Sequence, residues 1–105
     1  MLKLGSNPLG DAGVEALLAF ELLQLEALHL ESTQLGNASA VALVRSARLP
    51  RLERLDLSSN NISDAGAQAI AQSPARLHSL NLRSNVIGAR GDKALRARYG
   101  ARVHI

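Results

Sequence analysis

The 105-residue sequence contains no cysteine and no tryptophan, and its only aromatic residues are Phe20 and Tyr99. Without cysteine there is no disulfide framework, no thiol nucleophile and no thiolate metal site. Two aromatics supply neither a stacking platform for bases nor a cage for a cationic ligand. Long apolar runs are missing as well. Asp, Glu, Lys or Arg interrupts each one before it reaches membrane-spanning length, so no membrane partner is expected. The opening Met1-Leu2-Lys3-Leu4-Gly5 has no long apolar stretch of the kind that begins a signal peptide. A cytoplasmic location is the expectation. No Walker loop or dinucleotide fingerprint occurs, because Gly88-Ala89-Arg90-Gly91 reads as a turn leading into a helix, and no cofactor is implied.

What is present is leucine and alanine, at 20 and 17 residues against 5 Val and 4 Ile. A hydrophobic fraction of 47% in a chain of this length is enough for one buried core. The net charge of +3 hides a division. Residues 1–44 hold Lys3 against five carboxylates, net −4, while residues 45–105 hold eleven basic and four acidic groups, net +7.

A repeat organises the chain. Leu2-Lys3-Leu4, Leu28-His29-Leu30, Leu55-Asp56-Leu57 and Leu80-Asn81-Leu82 recur at spacings of 26, 27 and 25 residues. Three residues after each comes Asn7, Thr33, Asn60 or Asn85, and two further on Leu9, Leu35, Ile62 or Ile87. Each Leu-x-Leu is a short strand with one buried face, and the Asn amide can serve backbone groups where the strand bends away. Thr33 can do so only in part. The stretches Asp11–Leu23, Asn37–Arg48, Asp64–Gln72 and Asp92–Tyr99 read as helices, with Asp11, Asn37, Ser63 or Asp64, and Asp92 near their N-caps. Gly13, Gly66 and Gly91, with Ser39, share one helix position, where a small residue lets the helix approach the strand layer. The repeats fall near 1–24, 25–51, 52–76 and 77–99 in a single domain, with a terminal strand at 103–105.

The segments Leu52-Glu53-Arg54-Leu55-Asp56-Leu57-Ser58-Ser59-Asn60-Asn61-Ile62 and Leu77-His78-Ser79-Leu80-Asn81-Leu82-Arg83-Ser84-Asn85-Val86-Ile87 resemble the leucine-rich repeat family, in its ribonuclease-inhibitor-like subtype. The close, Leu95 to Ile105, is similar to that of some bacterial repeat proteins. The resemblance implies an α/β solenoid arc of about four and a half repeats, with a concave parallel sheet and convex helices. Pattern alone reaches a similar architecture, since one coil of strand and helix cannot bury its own apolar stripe and must stack on others.

Stacking places the outward strand residues in columns: Lys3, His29, Asp56, Asn81, His104; then Ala27, Arg54, Ser79, Arg102; then Gly5, Glu31, Ser58, Arg83. The candidate partner-binding residues on this face are His29, Glu31, Arg54, Asp56, Ser58, Asn81 and Arg83. A Ser-His-Asp reading of Ser58, His29 and Asp56 lacks an elbow, an oxyanion hole and a pocket, so no enzyme activity is expected. His29, His78 and His104 lie on different strands, with His29 and His104 about 14 Å apart, and no metal site is expected from them. Arg45, Arg48, Arg51 and Arg54, and the basic last coil, read as helix-end and cap residues, and nucleic acid is an unlikely partner.

The expected role is a non-catalytic protein-interaction module with a protein partner of unidentified nature. The alternative is a structural or self-assembling unit, or the C-terminal piece of a longer repeat protein. It rests on the first coil, where Leu2, Leu4 and Leu9, with Val14 or Leu17, would form an uncovered edge suited to a homodimer. The last helix carries Asp92 and Arg96 where earlier helices carry Val14, Ala40 and Ala67 or Leu18, Val44 and Ala71, so that end should face water.

Overall fold

A computed structural model describes residues 1–20 and 22–105. Strand and helix alternate: β1 (Leu2–Lys3), α1 (Gly10–Leu17), β2 (Ala27–His29), α2 (Asn37–Arg45), β3 (Arg54–Asp56), α3 (Asp64–Gln72), β4 (Ser79–Asn81), α4 (Ala89–Tyr99), a 3-10 turn (Gly100–Arg102) and β5 (Val103–His104). The strands form one parallel sheet in sequential order. Leu2, Leu28, Leu55, Leu80 and Val103 stand in one register column, and Lys3, His29, Asp56, Asn81 and His104 in the next. This is the α/β leucine-rich-repeat arc. Its core lies between sheet and helices, where Leu28, Leu30, Leu35, Leu57, Ile62 and Leu80 meet Val14, Ala40, Ala67 and Ile70 with no exposure.

Three helix bounds differ from the sequence reading. The first helix stops at Leu17 and not Leu23, because Leu22 donates its N–H to the Arg48 carbonyl of the next coil and the chain must leave the helix to reach it. The second stops at Arg45, as Ser46 turns extended and sends Leu49 into the core. The fourth starts at Ala89, so Asp92 lies inside its first turn.

Among the described residues, no helix is capped by a side chain of its own N-cap residue. The caps come from the preceding coil. Asp11 Oδ1 accepts from the N–H groups of Gly36 and Ser39 and from the Ser39 hydroxyl. Asn37 Oδ1 accepts from Ser63 and Gly66 N–H, at 2.9 and 3.0 Å. Asp64 Oδ1 accepts from Gly88 and Gly91 N–H, at 2.7 and 3.0 Å. Each carboxylate or amide therefore meets the positive end of its neighbour's helix dipole and satisfies two otherwise unpaired donors there. At Gly66 and Gly91 this contact is one reason for the small residue. A Cβ on Gly66 would lie 2.4 Å from Asn37 Oδ1, and one on Gly91 2.6 Å from Asp64 Oδ1. Ser39 tolerates the position by donating its hydroxyl to the capping oxygen. The corresponding residue of the fourth coil is Ala89, which offers no acceptor.

A second ladder runs the other way along the stack. Asn60 Oδ1 accepts from Thr33 and Leu35 N–H of the preceding coil, and its Nδ2 donates to the Leu30, Leu57 and Ser58 carbonyls. Asn85 repeats this toward Ile62 and Leu57. Thr33 itself is buried and tied to the Leu30 carbonyl at 2.6 Å, so the rung that Thr cannot make is missing from the first coil and not from its own. Before each ladder position a serine (Ser6, Ser32, Ser59, Ser84) holds a left-handed backbone, with φ between 57° and 63°. The turn out of the strand thus rests on a conformation that disfavours side chains, held in place by the ladder amide.

One consequence concerns acid. The Ser39 hydroxyl first, then the Gly36 and Ser39 N–H groups, hold the Asp11 carboxyl below its ordinary range against the opposing effect of burial. A folded value below the unfolded one means that the ionised form stabilises above about pH 3.9, and that this contribution is lost as pH falls through the folded value. Asn37 shows that an amide can cap in the same way. Asp11→Asn is therefore expected to lose less melting temperature than the wild type between pH 6 and pH 3. Equal losses would remove Asp11 from the acid response.

The two ends of the stack differ. Leu2, Leu4, Leu9 and Leu17 are half-buried, whereas their counterparts Leu28, Leu30 and Leu35 in the second coil are fully covered. Val14, expected on the open edge as an alternative to Leu17, is fully buried. On α4, Asp92 and Arg96 form an i,i+4 ion pair on the water-facing side. Tyr99 is buried beneath the guanidinium groups of Arg98 and Arg102, 4.9 and 5.6 Å from its ring centroid.

Candidate functional site

The strand column of the sheet carries the candidate residues out of the core on a backbone fixed at both ends by the ladders. His29, Glu31, Asp56, Ser58 and Asn81 are half-buried, and Arg54 and Arg83 are exposed. Ala27, placed by sequence in the same outward array, is 1% exposed, whereas its register partner Arg54 is exposed.

The charges on this face are not all occupied with one another. Asp56 Oδ1 accepts from the Ser58 N–H at 2.9 Å and from the Ser58 hydroxyl at 2.7 Å. Its other oxygen, Oδ2, stands 4.0 Å from His29 Nδ1, beyond hydrogen-bond reach. The Ser58 proton is thus directed to the carboxylate and not to the imidazole, the wrong order for an activated serine. Asn81 turns inward in the same manner as Asp56, its Oδ1 accepting from the Arg83 N–H at 3.1 Å. Among the described residues, the side chains of Arg54 and Arg83 make no hydrogen bond or ion pair. By contrast Arg51 donates to Gln24, Arg98 to the Ala75 carbonyl, and Arg102 to the Tyr99 and Arg98 carbonyls. The basic last coil is therefore partly spent on backbone carbonyls, while Arg54 and Arg83 are held out to solvent.

Sequence patterning did not show a cavity of about 730 Å³ that lies away from this face. Leu43, Leu49, Leu52 and Leu77 floor it, and Arg45, Arg51, Arg76, Glu26 and Glu53 line it, between the helix ends and the strand starts of adjacent coils. Of the arginines whose three-residue spacing the sequence showed, Arg45 and Arg51 line it. Among the described residues, no helix is long and apolar enough to cross a membrane.

Comparison with known proteins gives the same repeat. The family described as "Leucine Rich repeat" matches residues 2–18, 49–71 and 76–95. A pig protein named ribonuclease inhibitor is 40% identical over 89 residues, covering 77% of this chain and 20% of that protein. Mouse monocyte differentiation antigen CD14 is 35% identical over 83 residues, covering 77% of this chain and 23% of that protein. The chain thus spans about a fifth of the length of these curated relatives.

Proposed function

The chain belongs to the leucine-rich repeat family, and from that premise we propose that it is a non-catalytic protein-interaction module whose concave sheet face receives a protein partner in the cytoplasm. The observation that carries this reading is the pair Arg54 and Arg83, exposed on a rigid sheet and, among the described residues, engaged with no other group. Arginine is enriched among the residues that dominate binding energy, because its planar fork bonds two acceptors at once. Glu31, Asp56, His29, Ser58 and Asn81 around the pair supply the mixed polarity that fixes a partner's register. The pig relative's name, an inhibitor of a ribonuclease, supports a fold of this kind acting on another protein.

The test starts from a partner captured on the immobilised chain and measured by titration with the purified pair. The double variant Arg54→Glu/Arg83→Glu is expected to weaken binding by ~30-fold or more, as removal of hot-spot side chains does. Changes on the helix side at Glu15 or Gln68 should leave it within a factor of two or so. Loss of binding on the helix-side changes alone would overturn the assignment to the concave face.

A second reading is favoured by the contrast between the first two coils. Leu2, Leu4 and Leu9 keep apolar surface beside the unpaired outer edge of β1, a combination that promotes association through that coil. The occupant is either a second copy of the chain or a further coil of a longer solenoid.

A further inference from the structure

We propose that His29, Glu31 and Asp56 form a binding site for a divalent transition-metal ion of the zinc class on the concave face. One ligand atom from each residue lies within 4.8 Å of the other two. Ligands bonded to zinc at about 2.0–2.2 Å are at most ~4.4 Å apart, so small side-chain rotations close the set around one ion.

Three independent features favour a cation there. Glu31 Oε2 is shielded from solvent and has no hydrogen-bond partner. A carboxylate oxygen withdrawn from water without a donor is costly, and a cation removes that cost. The carboxylate reaches this place because its column neighbour is Gly5: a Cβ on Gly5 would lie 2.1 Å from Glu31 Oε1 and 2.4 Å from its Cδ. The glycine thus leaves a cradle that the Glu31 head group fills. Finally, Asp56 is aimed. Ser58 holds Oδ1 through two hydrogen bonds and leaves Oδ2 turned toward His29 Nδ1, 4.0 Å away with no bond between them. Outer partners that fix one carboxylate oxygen while the other ligates are a regular part of metal sites.

The donor set selects the ion. A neutral imidazole disfavours calcium and magnesium, which prefer oxygen alone, and suits zinc and its neighbours. Two carboxylates balance the charge of a divalent cation. Three protein ligands on an open face leave coordination positions directed outward, which suits an ion that also takes a water or a partner's side chain. Sequence spacing missed the site because it compared histidines with one another, whereas the ligands are one histidine and two carboxylates from two adjacent coils. The site does not depend on the partner reading above.

The test is calorimetric titration of the full chain with zinc chloride, with calcium chloride in parallel, together with NMR of its three histidines. One zinc per chain is expected, with the His29 ring signals shifting and those of His78 and His104 unmoved, and no uptake of calcium. His29→Ala and Glu31→Gln should each weaken zinc binding ~100-fold, and Ser58→Ala should weaken it ~10–100-fold, as loss of an outer-shell partner does. Gly5→Ala, whose methyl group would displace the Glu31 head group, should weaken it at least ~10-fold. His78→Ala should bind as the wild type does. Absence of zinc uptake would overturn the proposal. Uptake that shifts His78 or His104, or survives both His29→Ala and Glu31→Gln, would overturn the assignment.

Discussion

Replacing Asn60 by Ala is expected to lower unfolding free energy by on the order of 3–5 kcal/mol, the largest single-residue loss foreseen for this chain. Asn60 is 7% exposed and joins two coils. Its removal strands the N–H groups of Thr33 and Leu35 and withdraws a donor from the Leu30, Leu57 and Ser58 carbonyls. Each buried donor left without a partner costs about 1–3 kcal/mol, and two are left here. The same residue fixes the turn in which Ser59 holds its left-handed backbone, with φ of 57°. Leu55→Ala is the reference. Leu55 is 2% exposed in the central column, and its truncation should cost ~2–5 kcal/mol through lost transfer energy and an unfilled cavity. The repeat pattern by itself ranks Leu55 above Asn60, because it counts buried carbon. The hydrogen bonds place Asn60 at least level with it. Arg96→Ala, whose ion pair with Asp92 lies in solvent, should fall within ~0.5 kcal/mol of the wild type. Urea unfolding of the three variants decides the order. An Asn60→Ala loss as small as that of Arg96→Ala would mean that water replaces the whole ladder rung.

Leu4→Lys is expected to weaken association of the chain with itself by ~100-fold or more. In a contact built on the first coil, Leu4 would lie between Leu2 and Leu9, and a lysine there would carry a charge into an apolar contact with no acidic partner. A cost near 3 kcal/mol corresponds to that factor. The geometry favours a twofold contact, in which two β1 edges meet antiparallel and each covers the other's leucines. Head-to-tail stacking is helped by the opposed charges of the two halves. It would, however, set the first coil's leucines against the ion pair of Asp92 and Arg96. Sedimentation velocity across concentrations separates these outcomes. A closed dimer for the wild type and a monomer for Leu4→Lys is expected, with circular dichroism showing the variant folded. An open series of larger species would select head-to-tail stacking, and a monomer at every concentration would remove the first coil as a self-association surface.

The sequence alone determined what depends on period. The Leu-x-Leu spacing put Leu2, Leu28, Leu55 and Leu80 in one column and Lys3, His29, Asp56 and Asn81 in the next, and the strands pair in those registers. Period suffices there because in a solenoid each coil meets only its neighbours, and the side-chain alternation of a strand assigns each residue to the core or to the open face. It also marked Asp92 and Arg96 as a water-facing pair. What tertiary structure decided is what lies between coils. Asp11, Asn37 and Asp64 read as caps of their own helices, yet they cap the next ones, since the stacking offset brings those N-termini over their side chains. Gly66 and Gly91 read as spacers for close packing, and they also make room for those caps. Ser6, Ser32, Ser59 and Ser84 recur at the repeat period, but only backbone angles reveal their left-handed turn. Gly5, His29, Glu31 and Asp56 come together from three coils whose sequence separation conveys nothing about rotamers. Period fixes which face a side chain leaves from, while its direction along the stack depends on the neighbours' backbone, and that exists only once the coils are assembled.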